Sequence, residues 1–326
     1  MIISKTPYRI SFFGGGSDYP EWYLKNSGTV ISTSINKYVY VTCRKLNKYF
    51  KHNYRVSYSI VEEVKKIDQI SHPAVRGTLL NSKINDGLEI HYDGDLPSKS
   101  GMGSSSSFVV GLVNVLKNYQ KNKISKKELA QKSFFIERNI LKENVGHQDQ
   151  IAASYGGFNK INFSKKGFSI NRINLQTKFE NAMNNNLYLV YTGLQRRAEK
   201  IAGKYIPKLN NKKKTNIKKI LNHVIEANKL IQEDNPNDFG RLLHETWVEK
   251  KSLSPFITNS KIDGLYELGI KNGALGGKLL GAGGGGFILF YIDKNKISSF
   301  KKKLNKFNIL QIKPENRGSQ IIHNEI

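Results

Sequence analysis

The stretch best suited to chemistry runs from Leu96 to Leu116. Pro97 and Ser98 lead into Gly101, Met102 and Gly103, then into Ser104, Ser105, Ser106 and Ser107, and then into an apolar segment. Val109, Leu112, Val113 and Leu116 recur at the spacing of one helix face, so a glycine- and serine-rich loop is expected to feed a helix N-terminus. The first turn of a helix carries unpaired N–H groups and a partial positive charge. Glycine lets a backbone approach an anion closely, and serine hydroxyls add donors or a metal ligand, so this is chemistry for holding phosphate. The alternative is a serine-rich cap on a core helix. The order is not that of a Walker A loop, because Lys99 precedes the glycine pair. A second glycine cluster, Lys278 to Gly286, contains Gly-x-Gly-x-x-Gly, but it opens the strand Phe287 to Ile292 instead of a helix, which excludes a dinucleotide turn.

Other elements must hold these loops. Met1 to Phe13 reads as a strand running into Gly14-Gly15-Gly16-Ser17-Asp18-Tyr19. Thr29 to Leu46 reads as one or two strands, and Tyr54 to Ser59 and Leu88 to Tyr92 as further ones. Ser125-Lys126-Lys127-Glu128 has the form of a capping box, opening a helix that reaches Leu141 and carries Glu137. Strands are expected at Phe158 to Phe163 and Leu187 to Thr192. The second half is more helical: Ile217, Ile220, Leu221, Val224 and Ile231 mark one amphipathic helix, and Phe239, Leu242, Leu243 and Trp247 another. A division into residues 1–180 and 181–326 is the expected domain organisation.

Composition narrows the function classes. A chain of 326 residues with 38% hydrophobic residues can bury real cores. No apolar run approaches the roughly 18 residues of a membrane helix. Cys43 is the single cysteine, which excludes an intramolecular disulfide and points to a reducing cytoplasm. The formal charge of +26 suits nucleic acid, an anionic surface or phosphorylated small molecules. Most of the excess is scattered, however, and no nucleic-acid-binding motif accompanies the one dense run, Lys212 to Lys219.

Three motifs in one order carry a resemblance. Pro7-Tyr8-Arg9 followed by a strand and Gly14-Gly15-Gly16-Ser17-Asp18-Tyr19, the Pro97 to Ser106 loop, and Lys278 to Gly286 together resemble the signatures of the GHMP kinases, small-molecule kinases that include galactokinase and mevalonate kinase. The Glu-His pair of the galactokinase signature is Gly15-Gly16 here. The resemblance covers essentially the whole chain. It implies an α+β fold of two domains, the N-terminal one with a left-handed β-α-β unit and the C-terminal one ferredoxin-like, with the active site between them.

By the same resemblance, Pro97, Ser98, Gly101, Met102, Gly103, Ser104, Ser105 and Ser106 bind ATP. Ser105 and Glu137 hold Mg²⁺, with Ser104 as the alternative hydroxyl. Asp149, in Gly146-His147-Gln148-Asp149-Gln150, is the base, with Arg9 beside it; His147 is read as packing. Gly15, Gly16, Ser17, Asp18, Gly283 and Gly284 line the acceptor site. Thr6 to Tyr19 and Tyr191 to Arg197 further resemble the D-glycero-D-manno-heptose 7-phosphate kinases of bacterial surface-polysaccharide synthesis, in which Arg196 and Arg197 would suit a second phosphate. The implied partners are ATP and a sugar phosphate, with neither nucleic acid nor membrane. Fucokinase-like and glucuronokinase-like enzymes share the first motif, a catalytically silent homologue is a further alternative, and a homodimer is left open.

Overall fold

In the computed structural model the described residues are all but Lys99, Arg196, Arg197 and Ile326, with the backbone alone described for Ala198 to Lys200. Two sheets form the frame. The first contains β1 (Ile2–Phe13), β2 (Gly28–Lys45), β3 (Tyr54–Ser57), β4 (Val61–Val64), β5 (Leu88–Gly94), β6 (Phe158–Ser164) and β7 (Gly167–Arg172). The second contains β8 (Leu187–Tyr191), β9 (Ala274–Leu279), β10 (Phe287–Ile292) and β11 (Ile309–Gln311). The last strand, β12 (Gln320–Asn324), returns to the first sheet and pairs with β1. A division at residue 180 therefore leaves this strand on the other side of the boundary from its own sheet.

All but the last residue of Thr29 to Leu46 lies in one long strand, Gly28–Lys45, not two. β2 pairs with β1 on one edge; on the other, its first half pairs with β6 and its second half with β5. β3 runs parallel to β5 after a crossover through β4 and the helix Pro73–Ser82. The second sheet has the order β11-β8-β10-β9 with every pairing antiparallel. Numbered as its own four strands this is 4-1-3-2, the order of a ferredoxin-like sheet, with the helices Lys214–Gln232, Pro236–Lys251 and Ser260–Lys271 inserted between its first two strands.

The helix Ser104–Tyr119 packs on β1 and β2 with its apolar face fully covered. Gly111, which weakens the helix on propensity alone, is explained by closeness: a Cβ there would lie 3.0 Å from both Ser4 Oγ and Thr6 Oγ1, and Ser4 Oγ donates to the Gly111 carbonyl at 3.1 Å. Between the two sheets, Phe12 from β1, Phe158 from β6, and Phe179 and Phe239 from second-half helices form one stacked and edge-on cluster. Aromatic pairs of this kind add about 0.5–1.5 kcal/mol each beyond their buried area. This seam holds the two halves against each other beside the two glycine-rich loops. No helix among the described residues is long and apolar enough to cross a membrane.

Candidate active site

Arg9 sits where the β1–β2 register shifts. Such a bulge re-aims a side chain and frees its backbone, and the Arg9 N–H donates to the Met102 carbonyl in the serine loop at 3.2 Å. The guanidinium then makes three contacts. Nε and Nη2 donate to the two oxygens of Asp149, both at 2.6 Å, and Nη1 donates to the Gly101 carbonyl at 2.9 Å. Asp149 lies in the first turn of the helix Gln148–Tyr155, where the helix dipole favours a negative charge. One side chain thus ties the carboxylate to the loop that the sequence marks for phosphate.

That loop is built as expected. The helix beginning at Ser104 is capped by Gly103, a residue with no side chain to offer, so its first N–H groups are left for an anion. Gly101 and Gly281 meet backbone to backbone: a Cβ on Gly281 would lie 2.6 Å from Gly101 Cα, and both have positive φ, which glycine adopts freely. Ser100 is pinned from the second domain, since the Phe287 N–H donates to its carbonyl at 3.2 Å. Pro97 and Ser98 lie exposed at the rim, Met102 and Ser104 are buried, and Ser105 is exposed.

Glu137 is completely buried. The expected continuous helix to Leu141 is instead an α-helix, Lys126–Phe135, followed by a π-helical turn, Ile136–Ile140. A π turn adds a residue to the helix and rotates the side chains after it. It brings Glu137 against Ser106, whose Oγ donates at 3.1 Å, and against Gln150 Nε2, which also donates to Ser106 Oγ at 3.1 Å. Burial pushes the Glu137 carboxyl up to about 8; the two hydrogen bonds partly offset this, and the nearby Glu143 and Asp149 charges reinforce it. No described cation balances Glu137, and the described residues hold no cluster of three acidic, histidine or cysteine ligands. A buried carboxylate beside a hydroxyl and a phosphate loop fits Mg²⁺, which takes few protein oxygens and fills its shell with water and phosphate.

Asp18 closes the other side. It is 1% exposed, with Oδ1 accepting from the Gly16 N–H at 3.0 Å and Oδ2 from Gln148 Nε2 at 2.9 Å. Gly146 must be glycine, because a Cβ there would fall 1.9 Å from Asp18 Oδ2. Burial, then the charge of Asp149, raises the Asp18 carboxyl to about 6. Ser17 is buried in its own turn, its Oγ donating to the Gly14 carbonyl at 2.8 Å. His147 stacks on Phe134 with ring centroids 4.0 Å apart, and burial lowers its imidazole to about 4, in keeping with a packing role.

Gly283 and Gly284 sit against Ile257, whose carbonyl accepts from the Gly284 N–H at 2.8 Å; their described contacts are to this second-domain loop. Arg196 and Arg197 lie outside the described residues. The sequence assigns no role to three basic or phenolic groups. Lys278 is 3% exposed and donates to the Phe12 carbonyl at 2.7 Å; burial and then the Arg9 charge lower its ammonium to about 7. Lys250 donates to the Leu279 and Gly281 carbonyls at 2.7 and 2.6 Å, bracing the second glycine loop. Tyr205 brings the second domain to the acidic side, its phenol raised by burial and then by the charge of Asp18. Lys278 falls inside a motif and had a signal; Lys250 and Tyr205 lie on amphipathic helices where nothing marks them.

Comparison with known proteins finds similarity along most of the chain. Residues 41–157 match the family model "GHMP kinases N terminal domain" and residues 227–310 match "GHMP kinases C terminal". A D-glycero-alpha-D-manno-heptose 7-phosphate kinase of Campylobacter jejuni is 29% identical over 318 residues, which covers 94% of this chain and 93% of the relative. The L-fucokinase/L-fucose-1-P guanylyltransferase of Bacteroides fragilis is 26% identical, covering 88% of this chain but 34% of that longer protein. Among solved structures, a D-glycero-D-manno-heptose 1-phosphate kinase from Bacteroides thetaiotaomicron superposes with a TM-score of 0.81 at 21% identity, over 100% of both chains.

Proposed function

Because the chain belongs to the GHMP kinases and is an ATP-dependent sugar kinase, we propose that it transfers the γ-phosphate of ATP to the anomeric hydroxyl of D-glycero-D-manno-heptose 7-phosphate, giving the 1,7-bisphosphate. The observation that carries this reading is the Arg9–Asp149 pair, bidentate at 2.6 Å and tied through Gly101 to the phosphate loop. It supports the reading of Asp149 as the proton acceptor, because the same arginine contacts both the carboxylate and the loop assigned to phosphate.

The bond that forms joins the acceptor oxygen to the γ-phosphorus, and the bond that breaks joins that phosphorus to the β–γ bridging oxygen, which leaves with ADP. The hydroxyl proton goes to Asp149. In a loose transition state the proton leaves late, so positioning of the acceptor hydroxyl beside the carboxylate carries most of the demand. Gly101 to Ser106 hold the nucleotide phosphates, Arg9 fixes Asp149, and Asp18 accepts hydrogen bonds from acceptor hydroxyls. Ser105 and Glu137 would hold Mg²⁺, whose charge supports the departing phosphate. The intact set of Ser105, Glu137 and Asp149 speaks against a silent sugar-binding homologue.

The test is release of ADP from Mg-ATP in the presence of heptose 7-phosphate, unphosphorylated hexoses, or mevalonate. Turnover highest with the heptose phosphate is expected; a preference for a free hexose would overturn the substrate assignment.

A further inference from the structure

The sequence carries a charge run that the chemistry above does not use. Between Lys204 and Lys219 stand seven lysines and no acidic residue. A second run, Lys294 to Lys313, also holds seven lysines and no acidic residue, so composition alone distinguishes neither; their placement does. The first run is strapped onto the turn after β1. Ile217 is fully buried, and its Cδ1 lies 3.0 Å from where a Cβ on Gly16 would stand. Asn210 Nδ2 donates to the Glu21 carbonyl, and Asn210 Oδ1 accepts from Asn26 Nδ2, so the strap is tied to the helix Pro20–Asn26 that follows the turn. Tyr205, hydrogen-bonded to Tyr19, begins the same strap within the field of Asp18.

Three of these lysines are engaged locally. Lys204 lies 3.2 Å over the Phe256 ring, Lys213 donates to the Ser252 carbonyl at 2.6 Å, and Lys219 pairs with Glu249 at 3.1 Å. Lys208, Lys212, Lys214 and Lys218 are exposed, and their ammonium groups have no described partner. Lys214 and Lys218 stand four apart, so they share one face of the helix Lys214–Gln232. Four unpaired like charges repel one another, and no contact of the fold requires charge at these positions. Across the turn, Asp18 is held by the Gly16 N–H and the Gln148 amide and has no cationic partner among the described residues. An acceptor that bears a phosphate meets this uncompensated carboxylate as it enters, and a positive field at the rim offsets the repulsion.

We propose that Lys208, Lys212, Lys214 and Lys218 form an electrostatic collector for the phosphorylated acceptor, which raises its rate of encounter and favours it over uncharged sugars without holding it once bound. The inference rests on the sugar phosphate kinase reading above and deepens it. Clustered charge of one sign beside a cleft raises the on-rate of an oppositely charged substrate by about 10- to 10³-fold. Its reach is about 10 Å at 0.1 M ionic strength and about 3 Å at 1 M. The effect therefore belongs to the lysines at this rim, not to the net charge of the chain, and salt removes it.

The experiment uses the full chain at saturating Mg-ATP and reads kcat/KM for D-glycero-D-manno-heptose 7-phosphate, and for the same heptose without its phosphate, across ionic strength. One protein combines Lys208→Gln, Lys212→Gln, Lys214→Gln and Lys218→Gln; a second carries arginine at the same four positions. A third combines Lys301→Gln, Lys302→Gln, Lys303→Gln and Lys306→Gln, which removes equal charge from the other run, where Lys301 lies over Tyr188 of β8. At low salt the first protein should lose about tenfold in kcat/KM for the phosphorylated acceptor. Its kcat and its use of the unphosphorylated heptose should hardly move, and its curve should meet that of wild type at high salt. The second and third proteins should behave as wild type. A wild-type kcat/KM indifferent to salt, an equal loss on both acceptors, or an equal loss in the third protein would overturn the collector. Salt-dependent turnover of a different sugar phosphate would sink the substrate assignment and leave the collector standing; a wild-type preference for a free sugar would overturn both.

Discussion

Ser106 Oγ donates to Glu137 Oε1 at 3.1 Å, while Ser105, its neighbour in the same helical turn, is exposed. The two serines therefore have separable tasks. Ser106 holds Glu137 in place, and Ser105 is exposed, free to meet the nucleotide phosphates and metal that the proposed function assigns to this loop. Ser105→Ala and Glu137→Gln should each lose most Mg-ATP-dependent turnover while circular dichroism shows an intact fold. Ser106→Ala should mainly lower stability, by about 1–3 kcal/mol, because Glu137 and Gln150 both lose a partner. Wild-type rates in both Ser105→Ala and Glu137→Gln would remove the metal assignment; full loss in Ser106→Ala alone would transfer the hydroxyl role to Ser106.

The raised Glu137 carboxyl has a pH signature. Between the ordinary glutamate range and about 8 the folded protein holds a proton there that the unfolded chain releases. Stability therefore falls as pH rises through this window, and the contribution is complete only below it. Denaturant unfolding of the metal-free protein should show wild type losing stability relative to Glu137→Gln between pH 5 and about 8. Parallel curves for the two proteins would show that the carboxyl titrates normally.

Asp149→Asn keeps the size of the side chain and one oxygen for Arg9 but removes the basic oxygen pair. Turnover should fall about 10²- to 10⁴-fold, with nucleotide affinity little changed. A fall of less than about tenfold would leave Asp149 a positioning role or none. Steady-state kinetics together with nucleotide titration separates these outcomes.

Much of this arrangement is legible in the chain because it is local. A glycine–serine loop opening a helix declares its anion-binding N–H groups in consecutive residues, and Arg9, Asp18 and Asp149 each stand inside a short motif. What escapes is produced by distance. The π turn at Glu137 depends on how the segment 126–140 meets Ser106 and Gln150, which no periodicity encodes. Lys250 acquires its place only when the Pro236–Lys251 helix docks under the Gly281 loop. β12 shows the same limit: a five-residue strand is ordinary on its own, and only pairing with β1, more than 300 residues earlier, gives it a sheet. β9 is hidden by Gly276 and Gly277, which have low strand propensity but are positions where neighbouring backbone approaches closely.

The distal phosphate of the acceptor needs a partner of its own. A phosphate is a compact dianion, and where water is excluded it needs a charged or N–H-rich partner. The proposed function gives the serine loop to ATP, so the distal phosphate requires a second basic site. Arg196 and Arg197 lie outside the described residues, but the segment that leads to them is anchored. Thr192 donates through its N–H and Oγ1 to the Gly286 carbonyl at 3.0 and 2.8 Å, and the Gly286 N–H donates to the Leu194 carbonyl at 2.8 Å. Gly286 in turn lies against Ser100, since a Cβ on it would fall 2.2 Å from the Ser100 carbonyl oxygen. The chain thus leaves the second sheet next to the phosphate loop just before the two arginines, and the planar fork of arginine suits a phosphate better than lysine does. Arg196→Ala or Arg197→Ala should raise KM for the 7-phosphate sugar about tenfold, a loss of about 1.4 kcal/mol, and should hardly move KM for ATP. The effect should vanish with an acceptor that lacks the phosphate. Equal effects on both acceptors would assign these arginines to folding or to ATP, and the distal phosphate would need another partner.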